Sequence, residues 1–277
     1  MNSRRTRGIV LTVTDHGESD RIVTLYTADL GRMTGIAKGA KRSRKRFVNK
    51  LEEFSLLEVQ LGIPRGDTLP LIREADLEKA FLSLRTSYRR YVAATFAGEL
   101  VLRFTRAHDP DPQLFSLLHW ALENLDDGGD PLRTCALFLL RLLAAAGYRP
   151  SLYQCEKCGC ETVSERNFFL HAAGGSLVCS ACNGAVGRGG LAPVSIQTLR
   201  FLQHALQSEL GTLHRLRLSR KNSGEALKIL HRYTLHLLQK EIHSWEQLQT
   251  VFFQGSGNVT LPGPPCSSSP GPSSPPP

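Results

Sequence analysis

The sequence predicts a multidomain α+β protein: a small N-terminal β-barrel, then a mostly α-helical domain with an embedded cysteine motif. Three observations predict this fold class. Short runs with alternating apolar residues fill the first part of the chain, and further along the apolar period becomes helical. Five of the seven cysteines crowd into residues 155–182. At 277 residues the chain is long enough for about two domains, each with its own core.

Five short strands are expected at the N-terminal end. Each run has β-branched or apolar residues at alternate positions, and turn-forming residues separate the runs. Pro70 in the last run suits an edge strand or a bulge. Because no helix long enough for a parallel crossover lies between them, the strands favour a small barrel. The runs are residues 8–15, 21–32, 33–40, 54–61 and 68–75.

Helices are expected from Leu77 onward. Asp-Pro pairs at 111–112 and 130–131 each place an N-cap acceptor before a proline at the first helical position. The last of the helices carries Asn222 and Glu225 in capping-box spacing. The expected helices cover 88–106, a segment beginning at 112, then 131–146, 194–210 and 223–243.

The chain is expected to divide into a barrel domain at 1–80, a helical domain at 81–253 with the cysteine insert at 151–190, and a tail at 254–277. The tail contains eight of the 15 prolines and no charged residue, so it is predicted to be disordered. No apolar run is long enough to cross a bilayer, and the N-terminus lacks the features of a secretory signal. We therefore expect a cytoplasmic protein without membrane contact.

The cysteine motif has the spacing of a structural zinc site. Cys155 and Cys158 form one C-x2-C pair, and Cys179 and Cys182 form a second pair 20 residues later. Two residues between ligands let both sulfurs reach one tetrahedral metal from a tight turn. Four thiolates leave no position open for water, so we expect one structural Zn2+ per chain. Cysteines that bind nothing are the alternative.

Four other residues bear on the cysteine count. Cys160 lies two residues after the first pair, too close for the usual knuckle, and is interpreted as a spare thiol. His171 lies between the two cysteine pairs, and whether it replaces one of the four ligands is left open. Cys135 lies on the apolar stripe of a predicted helix and is expected in the core, whereas Cys266 lies in the tail and is expected to be free.

The net charge of +9 is concentrated near the N-terminus, where residues 1–50 hold 12 Lys and Arg against 4 Asp and Glu. Residues 38–46 alone put six positive charges into nine positions with no acid. Such a run supplies the charge that a phosphate backbone needs, and a merely solvated loop or a nuclear-localisation signal is the alternative. The predicted phosphate-binding residues are Lys38, Lys41, Arg42, Arg44, Lys45 and Arg46, assisted by Arg4, Arg5 and Arg7.

Small barrels often hold single strands by pairing a basic groove with aromatic stacking platforms. Tyr26, Phe47 and Phe54 are the candidates here, each equally well explained as buried core. A second basic segment, residues 215–232, is interpreted either as another phosphate-contacting surface or as a solvated helix face.

The sequence contains no recognised catalytic motif. It lacks a P-loop, a G-x-S-x-G elbow and an H-E-x-x-H pair. His16 and Glu18 with the C-x2-C pairs resemble a zinc deaminase only superficially, because Gln154 and Val178 replace the proline that precedes the cysteine pair in that pattern. We therefore expect no catalytic residues and a protein that is not an enzyme.

Three stretches of the sequence resemble parts of one known family. "IVLTVTDHGESDRIVTLYTADLGRMTGIAKGAKRSRKRF" followed by "LEEFSLLEVQL" is similar to the family's N-terminal domain. "CEKCG" and "CSAC" resemble its zinc motif, and "LAPVSIQTLRFLQHAL" resembles the helix after it. The family that these stretches resemble is the bacterial recombination mediator RecO of the RecF pathway. The likeness covers about residues 5–250 and excludes the tail, and Cys160 departs from the family pattern.

The resemblance implies an N-terminal OB-fold and a DNA repair function. It implies binding to single- and double-stranded DNA, annealing of complementary strands without ATP, and help in loading RecA onto SSB-coated single strands. The implied partners are DNA, RecR, the acidic and apolar C-terminal tail of the single-stranded-DNA-binding protein SSB, and indirectly RecA. The alternative, from a different class, is a zinc-stabilised adaptor whose basic loop binds an acidic protein.

Overall fold

The computed structural model describes residues 3–62, 68–162, 167–185 and 190–254. The predicted tail therefore lies outside the described residues, apart from Gln254. In the described part of the chain, no helix is both long and apolar enough to cross a membrane.

Five strands form the N-terminal sheet, with each neighbouring pair antiparallel and the spatial order β3-β2-β1-β4-β5. They are β1 Ser3–His16, β2 Asp20–Thr27, β3 Gly31–Ala37, β4 Leu56–Gly62 and β5 Ile72–Lys79. The long β1 pairs with β4 through its first half and with β2 through its second half. A parallel bridge from Ile36 to Leu71 joins the β3 edge to the chain just before β5. The sheet thus closes into the five-stranded barrel of an OB-fold.

The fifth strand begins later than the sequence pattern indicates. Its predicted run was 68–75, but regular pairing starts only at Ile72. Pro70 has no N–H to give to a ladder, and its carbonyl instead accepts a hydrogen bond from the N–H of Ile36 at 3.0 Å. Pro70 therefore helps to close the barrel from outside the strand.

The helices follow the barrel. The two predicted Asp-Pro caps are confirmed: the Asp111 side chain accepts from the N–H groups of Gln113 and Leu114, and that of Asp130 accepts from Arg133 N–H. The described helices are α1 Leu82–Thr86, α2 Tyr88–Phe104, α3 Pro112–Asp126, α4 Pro131–Ala145, α5 Ile196–Gln207, α6 Arg220–Leu238 and α7 His243–Phe252.

The predicted helix 223–243 is wrong at both ends. Helix α6 is capped by Ser219, whose side chain accepts from Asn222 N–H, so the expected capping box at Asn222 does not form. Glu225 accepts hydrogen bonds from Ser195 instead. At the other end Gln239 has a left-handed backbone with φ of 51°, and α7 follows as a separate helix.

Helix α4 lies at the centre of the main core. It is buried on nearly every side, and α2, α3, α5 and α6 pack around it. Ile9, Leu11 and Tyr26 on the barrel join this core, while a second cluster that includes Val10 and Leu25 fills the barrel interior. Because adjacent residues of β1 point to opposite faces, one strand serves both cores.

The cysteine insert forms a sheet that the sequence analysis did not predict. Its strands are β6 Ser151–Cys155, β7 Phe168–His171, β8 Ser176–Cys179 and β9 Leu191–Val194, in the order β6-β8-β7-β9. Phe168, Leu170 and Leu177 are buried and belong to the main core. The insert is therefore held against the helices as well as by its own backbone pairing.

Candidate nucleic-acid interface and cysteine cluster

The basic loop, residues 38–46, is held against the turn between β1 and β2. The N–H of Gly39 donates to the Asp20 carboxylate at 2.8 Å, and the N–H of Lys41 donates to the carbonyl of Ser19 at 2.9 Å. A short 3-10 turn follows over Ala40–Arg42. The six basic side chains of the loop are exposed. A fixed backbone thus presents them together at one end of the barrel.

The three aromatic candidates are core residues. Tyr26 is 0% exposed, and Phe47 and Phe54 are each 3% exposed. The Phe54 ring packs edge-on against Tyr91, with 5.7 Å between ring centroids. None of the three offers a free face on which a base could stack, so charge is the predicted feature of the barrel that stays available to a nucleic acid.

Some cations of the basic loop have protein partners. The Lys41 ammonium lies 2.9 Å from the Asp15 carboxylate, and the Arg42 guanidinium lies 3.3 Å from Glu18. The Lys41 hydrogen bond lowers the pKa of Asp15. The Arg46 guanidinium donates to two backbone carbonyls. Half of the loop's charge is therefore partly engaged within the protein.

The other cations of the loop have no such partner among the residues that the structure describes. Lys38, Arg44 and Lys45 are exposed and form no ion pair within the part of the chain that the structure describes. We call these three residues the unpaired cations. Their positive charge is available to a ligand without first displacing an acid.

The arginines at the start of β1 are all paired. They lie at the opposite end of β1 from the basic loop, so the structure does not bring the two groups together. The Glu78 hydrogen bonds raise the pKa of Arg7. The nitrogen–oxygen distances are 2.7 Å for Arg4–Asp29, 3.2 Å for Arg5–Glu58 and 2.7 Å for Arg7–Glu78.

The sequence contains a signal for two of these three ion pairs, those of Arg5 and Arg7. Residues 51–80 hold seven acids against three bases, and β4 and β5 lie within that segment. Because β1 pairs with β4, Arg7 stands opposite Glu58, and Arg5 reaches the same carboxylate diagonally. An acidic strand beside a basic strand predicts cross-strand ion pairs.

The second basic segment divides between two concavities. Arg215 and Arg217 join Arg200 of α5 around a cleft of about 610 Å³. The other four cations border a larger groove of about 900 Å³ between α6 and α7, which we call the α6–α7 groove. These four are Arg220, Lys221, Lys228 and Arg232.

The floor of the α6–α7 groove is aromatic and apolar. The buried His231 ring stacks on Trp245 with 3.7 Å between centroids, and burial lowers the pKa of His231 to about 4. The Phe253 ring packs closely against Gly224 of α6, since a Cβ at residue 224 would come within 2.8 Å of that ring. Leu132 and Ile229 complete the apolar lining.

The rim of the same groove is cationic. The Lys228 ammonium lies 4.1 Å from the centroid of the Phe253 ring. Glu225, the acid among the described lining residues, is occupied by hydrogen bonds from Ser195 and Thr198. An apolar floor with a positively charged rim is suited to a peptide that combines hydrophobic and acidic side chains.

The cysteine cluster gathers at the junction of β6 and β8. The sulfurs of Cys155, Cys158, Cys160 and Cys179 all lie within 4.8 Å of one another, and Cys158 and Cys179 are 3.7 Å apart. Sulfurs in a tetrahedral tetrathiolate lie about 3.8 Å apart, given metal–sulfur bonds of about 2.3 Å. The donor set therefore fits a thiophilic metal ion such as zinc.

Hydrogen bonds to sulfur favour the thiolate form. Burial raises the pKa of Cys179, but the N–H of Cys182 and the neighbouring thiols outweigh it and lower that pKa to about 6. The N–H of Cys179 in turn donates to the Cys155 sulfur at 3.4 Å. A metal ligand must be deprotonated, so these contacts prepare Cys155 and Cys179 for binding, whereas contacts with Cys158 and Cys179 raise the pKa of Cys182.

The structure adds one thiol to the four predicted ligands. Cys160 belongs to the group within 4.8 Å, whereas Cys182 is outside that group but interacts electrostatically with the thiols of Cys158 and Cys179. His171 is not part of the group among the described residues. Cys135 is buried in α4, as expected, and Cys266 lies outside the described residues.

These elements define a class of protein: an OB-fold barrel with a basic loop, joined to a helical core that carries a four-cysteine cluster able to hold a metal. The family profile described as "Recombination protein O N terminal" matches residues 1–81. The profile described as "Recombination protein O C terminal" matches residues 85–246. The two matches cover the barrel, the helices and the cysteine cluster.

Curated relatives agree with the profiles. The chain is 36% identical over 249 residues to the DNA repair protein RecO of Syntrophobacter fumaroxidans, covering 90% of this chain and 98% of the relative. It is 30% identical over 254 residues to that of Syntrophus aciditrophicus, covering 91% and 98%. With the Geobacter metallireducens protein it shares 41% identity over 185 residues, covering 66% and 73%. The chain belongs to the RecO family, and this membership supports a role in DNA repair and recombination.

Proposed function

We propose that this chain is a DNA-binding recombination mediator that is not an enzyme and that works at the nucleoid in the cytoplasm. It binds single- and double-stranded DNA, anneals complementary strands without ATP, and acts with RecR to load RecA onto SSB-coated single strands. One observation carries the proposal: a member of the RecO family presents, on a loop fixed to an OB-fold barrel, three exposed cations that form no ion pair with the residues described in the structure.

The mechanism of annealing is charge neutralisation. Two strands repel each other through their phosphates, and Lys and Arg side chains that contact phosphate release bound counterions without reading sequence. The unpaired cations provide these contacts at the barrel. The cleft around Arg200, Arg215 and Arg217 supports contact with a second strand, because no acid is among its described lining residues.

The cysteine cluster binds one structural Zn2+ per chain. Cys155, Cys158 and Cys179 provide three thiolates, and the C-x2-C spacing makes Cys182 a candidate for the fourth position. A site filled by four thiolates stabilises structure and has no open position for catalysis. We expect Cys179→Ser to lose zinc and to lower the melting temperature while the barrel keeps its DNA affinity. Zinc retained in this variant would contradict the site.

The α6–α7 groove receives the C-terminal tail of SSB, which is acidic and apolar. Apolar side chains of the tail enter the floor around Trp245, and its acids meet the rim cations. We expect Lys228→Glu with Arg232→Glu to abolish binding of a labelled SSB-tail peptide. Lys240→Glu is the control, because that exposed lysine follows α6 without lining the groove. An equal loss in the control would refute the location.

Salt dependence tests the function as a whole. Purified protein is titrated into labelled random single- and double-stranded oligonucleotides at several salt concentrations, and annealing of complementary strands is followed without ATP. We expect log affinity for single strands to fall by about 0.7 per phosphate contact for each tenfold rise in salt. Absence of binding at low salt would favour the alternative adaptor, whose basic loop grips an acidic protein.

A further inference from the structure

Five thiols surround a site that needs only four. The inference below rests on the proposed zinc site and concerns its fourth ligand. Cys155 and Cys179 are the inner pair, since they are 1% and 0% exposed and joined by the hydrogen bond from Cys179 N–H to the Cys155 sulfur. Cys158 is exposed, but its sulfur lies 3.7 Å from that of Cys179, and we call Cys155, Cys158 and Cys179 the trio.

Cys160 reaches the site because the chain folds back immediately after Cys158. Gly159 has a left-handed backbone with φ of +70°, and its N–H donates to the Cys155 carbonyl at 2.9 Å. The N–H of Cys155 then donates to the Cys160 carbonyl at 2.9 Å. Residue 160 is therefore fixed beside residue 155, although its sequence position alone suggested that it was too close to act.

Cys182 approaches from the opposite knuckle. Its N–H donates to the Cys179 carbonyl at 3.0 Å, and its thiol is near enough to interact electrostatically with Cys158 and Cys179, although it lies outside the group within 4.8 Å. The Cys160 thiol contacts the same two sulfurs. Both Cys160 and Cys182 are half-buried, so neither is fixed deep in the core as the inner pair is.

We infer that Cys160 and Cys182 compete for the fourth position of one tetrathiolate site, so that the metal is held whichever of the two binds. Both can approach the trio from their own knuckle, and exchange between them moves a side chain without breaking the trio. At any moment one thiol of the pair is unligated and half-exposed. The site consequently tolerates loss or modification of either thiol alone.

Metal content of serine variants tests this inference. Each of Cys160→Ser and Cys182→Ser should retain one zinc per chain, with affinity in a chelator competition reduced by less than about tenfold. The double variant should lose at least about a hundredfold in zinc affinity, because only three thiolates remain, and changes outside the ligand set alone already cost about 10–100-fold. Cys135→Ser is the control, because that thiol is buried in α4 away from the cluster.

A second measurement does not depend on the double variant folding. Brief alkylation of the zinc-loaded wild type, followed by peptide mass mapping, should label Cys160 and Cys182 each in part, without release of zinc. Label on Cys160 alone, or zinc lost from Cys182→Ser alone, would assign Cys182 as the sole fourth ligand and overturn the inference. Label on Cys182 alone, or zinc lost from Cys160→Ser alone, would assign Cys160 as the sole fourth ligand and would also overturn the inference.

Two failures are distinguishable. A wild type that binds no zinc would refute the proposed zinc site itself. A wild type that binds zinc, together with one single variant that does not, would refute only the inference that Cys160 and Cys182 share the fourth position.

Discussion

Basic residues lie at both ends of strand β1, but those at its start form ion pairs and most of those in the basic loop beside its far end do not, among the described residues. At its start, three arginines each form an ion pair with an acid. Beside its far end, Lys38, Arg44 and Lys45 form no ion pair with any residue that the structure describes. Cations that already neutralise acids contribute to the fold, and cations without partners repel one another until an anion arrives. The number of charges in a sequence is therefore a poor measure of the charge that a ligand meets.

The largest effect is expected from reversing the unpaired cations. At about 0.1 M salt, each phosphate contact to a single strand contributes roughly 0.7 log units of affinity, so losing three costs about a hundredfold. We expect this loss in Lys38→Glu, Arg44→Glu and Lys45→Glu combined, measured by fluorescence anisotropy. The matched control reverses Arg4, Arg5 and Arg7, which is the same change in charge, and should lose less than about threefold. Similar losses in both variants would break the comparison.

A smaller contrast is expected inside the basic loop itself. Lys38→Glu with Arg44→Glu and Lys41→Glu with Arg42→Glu change the net charge equally. The second pair already faces Asp15 and Glu18, so its charges are partly neutralised before DNA binds. We expect the first double variant to bind a single strand about fivefold to tenfold more weakly than the second. An inverted ranking would show that local ion pairs do not limit these cations.

The two triple variants should rank in the opposite order for thermal stability: the one that changes DNA affinity less should change the melting temperature more. Exposed ion pairs contribute up to about 1 kcal/mol each, and a change of 1 kcal/mol moves the melting temperature of a domain this size by about 2–4 °C. We expect reversal of Arg4, Arg5 and Arg7 to lower the melting temperature by a few degrees, because each new glutamate faces an acid. Reversal of the unpaired cations should leave it unchanged. Scanning calorimetry at low salt distinguishes these outcomes, and a destabilised loop variant would contradict the account.

The smallest effect is a gain. Asp15→Asn with Glu18→Gln removes the acids that engage Lys41 and Arg42 without touching a cation. We expect affinity for single-stranded DNA to rise about twofold to threefold, and the gain to disappear at high salt as screening grows. Asp29→Asn, next to Arg4 at the other end of β1, serves as the control and should change affinity less. Weaker binding in the first variant would mean that the two acids position the loop.

Local patterns in the sequence predicted much of the fold. The barrel strands follow from alternation, and the starts of α3 and α4 follow from Asp111 and Asp130, because an N-cap depends on residues only two or three positions away. The start of α6 was predicted three residues too late, because Ser219 and Asn222 are both suitable N-cap residues and only Ser219 caps the helix. Glu225, the remaining half of the expected capping box, instead accepts from Ser195, 30 positions earlier, which no local pattern indicates.

The sequence predicted which residue types form the candidate sites, but not which of these residues contact one another. Lys38–Arg46 and the C-x2-C pairs can be read from the sequence, but the partners of Arg4 and Arg7 are 25 and 71 positions away. The Arg4 pair depends on how the turn after β2 lies beside β1, and the Arg7 pair depends on how β1 and β5 lie in the sheet. The position of Cys160 depends on the turn at Gly159, which spacing rules for two-residue knuckles do not include. In both cases the contact depends on how distant or turning parts of the backbone fold, which local sequence patterns do not indicate.

Salt dependence of the two triple variants tests the central claim most directly. Log affinity for a random single-stranded oligonucleotide is measured against log salt for the wild type, the Lys38, Arg44 and Lys45 reversal, and the Arg4, Arg5 and Arg7 reversal. We predict a slope shallower by about 2 in the first variant, since three contacts of roughly 0.7 each are lost, and an unchanged slope in the second. A wild-type slope in the first variant with a shallower slope in the second would place the DNA contacts at the start of β1 and contradict the account.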